Sequence, residues 1–66
     1  MAKQAERYYV FKFSNNSGSG VEYGVRAINK HLALIEASEL LFMQHGWMSD
    51  DLRNVKCIDY GENYRN

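Results

Sequence analysis

Apolar and polar residues alternate from Tyr8 to Phe13, where Tyr9, Phe11 and Phe13 fall on one side of an aromatic and β-branched run. That period of two predicts a half-buried first strand. Asn15 to Gly20 contains only turn formers and glycine, too many for a two-residue hairpin turn, and reads as a mobile tip. Alternation resumes with Val21, Tyr23, Val25 and Ala27, so a second strand pairs antiparallel with the first. Gly24 inside it marks either a bulge, a weak point or a place where another group approaches the backbone.

The period then changes to that of a helix. Asn29 is a good N-cap, Gly46 suits the left-handed residue after the last turn, and together they bound a helix over residues 30–45. A Schellman ending at Gly46 would bring Phe42 and Trp47 together. At about 100° per residue, Ala33, Leu34, Ala37, Leu40 and Leu41 share one arc, a stripe fit to face a sheet. A second apolar set, Leu32, Ile35, Phe42 and Met43, lies largely opposite, interrupted by Glu39 and flanked by Glu36, His31, Ser38 and His45. One helix cannot bury both sets in a monomer.

Ser49-Asp50-Asp51 reads as a turn or a short capped helical turn, and residues 54–60 as a third strand. The helix returns the chain so that this strand runs parallel to the second; beside the first it is antiparallel. The expected fold class is therefore α+β, a ββαβ layout with a three-stranded antiparallel sheet in the order 2-1-3 and one helix packed on one face. Phe11, Val25, Leu34, Ala37, Leu40 and Leu41 are its expected core. The other sheet face is left uncovered, with Tyr8, Tyr60 and Tyr64 available to it and Lys12 and Lys56 between them.

Length limits the rest. With 66 residues the chain is expected to form one domain, ordered over about residues 8–60 with a loose N-terminal arm (1–7) and tail (61–66). A body this small buries only about 60% of its unfolded surface. Cys57 stands alone, so no internal disulfide is available and a reducing compartment fits best. No apolar run approaches the roughly 20 residues that span a bilayer, and Met1 to Arg7 is too polar for a signal peptide. No membrane partner and a cytoplasmic location are the expectations.

Eight basic residues balance eight acidic ones. The first half nevertheless holds Lys3, Arg7, Lys12, Arg26 and Lys30 against two acids, and the second half six acids against three bases. A dipolar molecule follows, with Asp50, Asp51, Asp59 and Glu62 as its acidic end, unless these are merely a solvated surface. Neutral net charge makes nucleic acid an unlikely partner, because the backbone attraction that supplies most affinity is missing.

Chemistry finds few materials here. Glu36 and Glu39 are neighbours on an outer helix face, like charges without a cleft, and do not form an acid/base pair. Cys57 needs a base and an orienting group to act as a nucleophile and reads instead as a small buried hydrophobe. Ser17-Gly18-Ser19-Gly20 joins two strands and lacks the lysine of a phosphate-binding loop. His31 and His45 have no metal-ligand spacing. No catalytic residue, metal ligand or cofactor site is expected.

The order of strand Tyr8 to Phe13, polar tip, strand Val21 to Ala27, helix and closing strand resembles small phage proteins that disable host machinery, such as RNA polymerase inhibitors and anti-CRISPR proteins. The resemblance spans Tyr8 to Tyr60 and is one of size and layout, with no shared motif. It implies a stoichiometric, non-enzymatic inhibitor of a host nucleic-acid-processing complex, acting in the host cytoplasm. The residues expected to carry such binding are Leu32, Ile35, Glu39, Phe42 and Met43 on the helix, with Asp50 and Asp51 at the adjoining turn. A homodimer through the same helix is the other occupant of that face. The alternative function is a small single-stranded nucleic-acid-binding domain that uses the aromatic sheet face.

Overall fold

The computed structural model describes residues 5–62. Strand β1 (Arg7–Asn15) is the centre of an antiparallel sheet, with β2 (Gly20–Ala27) on one side and β3 (Leu52–Gly61) on the other. The single helix α1 (Lys30–His45) follows β2, and a 3-10 turn (Ser49–Asp51) leads into β3. The order is β2-β1-β3, the layout that the alternation and the helix period predict. Helix bounds agree to the residue because the caps are chemically explicit. The Asn29 side chain accepts from the Leu32 amide at 2.9 Å, and Gly46 adopts φ 72°.

One correction concerns that C-terminus. The Gly46 amide donates to the Phe42 carbonyl at 2.8 Å, which is the single bond of an αL ending and not the paired bonds of a Schellman motif. A second concerns the hairpin tip. Asn15 Oδ1 accepts from the amides of Ser17 and Ser19, and the Asn16 amide donates to the Asp51 carbonyl at 3.1 Å. Polar turn residues that look mobile in sequence are here tied to each other and to the 3-10 turn.

Register sorts the side chains. Tyr9, Phe11 and Phe13 are opposite Val25, Tyr23 and Val21 on β2, and opposite Asp59, Cys57 and Val55 on β3. Directly opposed residues share a face, and this one carries the helix. Tyr9, Phe11, Phe13, Val25, Ala33, Ala37 and Leu41 form the buried core. Phe11 and Phe13 stack with centroids 6.2 Å apart, and the alanines let the helix backbone approach that row. Phe11, Val25, Ala37 and Leu41 are buried as expected, whereas Leu34 and Leu40 are only half-buried at the margins of the stripe.

The helix is not centred on the sheet. It packs on β2 and β1, where Tyr23 Oη donates to Gln44 Oε1 at 3.1 Å, and β3 lies largely beyond its edge. Most of β3 is consequently exposed on both faces, with only Leu52, Cys57 and Gly61 half-buried. Cys57 therefore falls short of the buried position expected for it, although burial still pushes its thiol up from the ordinary value. Two register shifts mark the ends of the β1–β3 ladder, at Tyr8/Tyr9 and at Ser14/Asn15.

Candidate functional site

The outer face of α1 is built by the same 3.6-residue period that buries its inner face. Once Ala33, Ala37 and Leu41 point inward, Ile35, Glu39 and Phe42 must point outward. Leu32, Ile35, Phe42 and Met43 are 43%, 47%, 54% and 79% exposed. These are the four apolar side chains expected to remain outside, and none of them is buried, although Phe42 is partly flanked by Trp47 and Met48. Glu39 is exposed within the same stripe.

His31, Leu34, Ile35, Ser38, Glu39, Phe42 and Met43 line a depression of about 730 Å³. That volume lies within the range of small-molecule pockets, roughly 300–1,000 Å³. All its lining comes from one helix, however, so it has no opposite wall. Such a shape receives another surface better than it encloses a ligand. Phe42 also lines a smaller cleft with Trp47, Met48 and Leu52, and the Trp47 ring lies 5.4 Å from His45. The apolar stripe thus runs from His31 to the 3-10 turn, where Asp50 and Asp51 are exposed.

The two aspartates are not equivalent. Asp51 Oδ2 accepts from the Met48 amide at 2.8 Å and so caps the 3-10 turn. The Asp50 side chain takes no hydrogen bond or ion pair among the described residues. The structure also exposes two further apolar residues, Met48 at 61% in the cleft beside Phe42 and Ile28 at 40% just before the helix cap.

Charge is arranged differently from the expected acidic end. Asp50 and Asp51 precede β3, whereas Asp59 and Glu62 lie at and beyond its far end, about 30 Å away along a strand of ten residues. There Arg7 pairs with Asp59 at 3.0 Å and with Glu62 at 3.8 Å. The hydrogen bond from Arg7, with that from the Gly61 amide, holds the Asp59 carboxyl below its ordinary range. The four acids therefore form two separate groups, because β3 carries the chain across the whole sheet between them.

Tyr8, Lys12, Lys56 and Tyr60 share the open sheet face as expected, but the lysines do not lie between the rings: Tyr8 and Tyr60 meet at one end and Lys12 and Lys56 pair at the other; Tyr64 lies outside the described residues. No group of three or more histidine, cysteine, aspartate or glutamate side chains among the described residues is placed to hold a metal ion. Among them, no helix is long and apolar enough to cross a membrane. No protein family, curated protein or solved structure matches the chain.

Proposed function

We propose that this chain is a non-catalytic protein-binding inhibitor that docks the outer face of α1 onto a large nucleic-acid-processing complex, such as a CRISPR effector or an RNA polymerase of a phage host. The observation that carries the reading is the exposure of Leu32, Ile35, Phe42 and Met43 along one line of the helix. Contiguous apolar surface on so small a body is costly to leave in water, and large apolar anchors dominate the energy of protein interfaces. Glu36, Glu39 and Asp50 rim that line, so the complementary surface has an apolar groove edged by lysine or arginine. Nucleic-acid channels of large enzymes supply such cations, which supports the choice of target class.

Ile35→Asp should abolish capture of the partner by tagged protein while the circular dichroism spectrum stays that of the parent, because Ile35 is outside the core. Asp50→Lys should weaken capture mainly at low salt, as expected of a charge at an interface rim. If both folded variants captured the same partner as well as the parent, the helix face would not be the docking surface.

A further inference from the structure

The sheet face turned away from the helix forms a second surface, separate from the one above and independent of that reading. Its charge departs from that of the whole chain. Lys12, Arg26 and Lys56 lie on it with Glu22 as the one carboxylate among the described residues of its ladder, in a chain whose net charge is zero. Lys12 and Lys56 stand directly opposite each other in the β1–β3 ladder. Like charges so placed destabilise a sheet. Glu22 closes on Lys12 at 3.6 Å, but no carboxylate closes on Lys56 among the described residues. The face thus keeps a positive surplus at a cost to its own folding.

The other end of the face is aromatic. Tyr8 and Tyr60 have ring centroids 6.0 Å apart, and the Arg26 guanidinium lies 5.4 Å from the Tyr8 ring centroid. Tyr8 lies along the sheet because Gly24 has no side chain; a methyl group there would collide with the ring. Val10 and Ile58 are opposed between the two ends, and Ile58 and Tyr60 are 38% and 45% exposed. From Tyr8 to Lys12 is about 13 Å along β1.

We propose that this face binds single-stranded nucleic acid, with Tyr60 and Tyr8 as the base-stacking end and Lys12, Lys56 and Arg26 contacting phosphates. The combination of rings and cations on one flat sheet favours this occupant over an acidic protein surface, which would use the cations but not the rings. Sheet platforms of this extent stack two or three bases. Three phosphate contacts predict that log K falls with log salt at a slope of about −2, at roughly −0.7 per contact on a single strand.

Fluorescence anisotropy with labelled oligo-dT and oligo-rU, read across a salt series, tests this on the intact chain. The parent should bind both probes at low salt with that slope. Tyr60→Ala should weaken binding on the order of tenfold, as loss of one stacked base does. Lys56→Ala should reduce the slope by about 0.7, whereas Lys30→Ala, which removes an equal charge from the helix side, should leave it unchanged. Circular dichroism of each variant keeps a folding defect separate from a binding one. A folded parent that bound neither probe at low salt would overturn the proposal. So would equal losses from Lys30→Ala and Lys56→Ala, or binding of poly-glutamate as tight as binding of oligo-dT, the result expected if the face receives an acidic protein.

Discussion

Ala33 and Ala37 are fully buried against Phe11 and Phe13, and Leu41 completes the same line one turn further on. Because each alanine contributes only a methyl group, Leu41 is the largest helix side chain in the core and the main plug over the aromatic row. Leu41→Ala should cost roughly 2–5 kcal/mol. A domain of this length has only about 3–10 kcal/mol in total, at roughly 0.05–0.15 per residue. Chemical denaturation should therefore show a midpoint well below the parent's, and an unfolded variant if the parent lies at the low end of that range. An unchanged midpoint would mean that the packed face has been misplaced. Individual residues were legible to different degrees. Phe11, Val25, Ala37 and Leu41 could be placed inside from period alone, since both the strand and helix patterns are clean there. Leu34 and Leu40 could not be ranked, because they sit at the stripe's edges and their cover depends on where the helix rests across the sheet.

The ladder between β1 and β3 carries the Arg7–Asp59 ion pair. Asp59 accepts from Arg7 and from the Gly61 amide at 2.8 Å, at the turn where Gly61 adopts φ 83°. Its carboxyl is held below the ordinary value of 3.8, first by the Arg7 hydrogen bond. A depressed folded value means that the contact stabilises fully above the unfolded value and is lost as pH falls through the folded one. Asp59→Asn should accordingly lower the melting temperature at pH 7, with the gap from the parent closing below about pH 4. Both partners are well exposed, so the shift should be small, and its pH dependence is the decisive feature. A gap that stayed constant down to pH 2 would remove the ion pair as its cause. At this scale the strands and the helix were readable because alternation, Asn29 and Gly46 are local signals. The off-centre seat of the helix was not, since nothing in α1 or β3 alone says which strands share its cover. The start of β3 was missed by two residues for a related reason: Leu52-Arg53-Asn54 does not alternate, and the register shift at Ser14/Asn15 brings it into the ladder.

The whole molecule separates charge by face and not by sequence half. Lys12, Arg26 and Lys56 share the open sheet face, while Glu36 and Glu39 lie on the helix and Asp50 on the turn beyond it. Counting charges along the chain finds the imbalance but not its direction, because cross-strand register decides which side each residue takes. The same register sets a further property through β3, whose outer edge has no neighbouring strand among the described residues. An uncovered edge is a template onto which identical chains can add. Here Lys56 interrupts what would otherwise be an apolar run of Val55, Cys57 and Ile58, with Arg53 and Asp59 on either side. Charges so placed are guards against edge-to-edge growth. Lys56→Val should thus turn a clear solution of this protein into one that seeds thioflavin-binding fibrils at neutral pH, while the parent stays clear under the same shaking. If the variant stayed equally clear, a single lysine would not be what keeps this sheet from growing without limit.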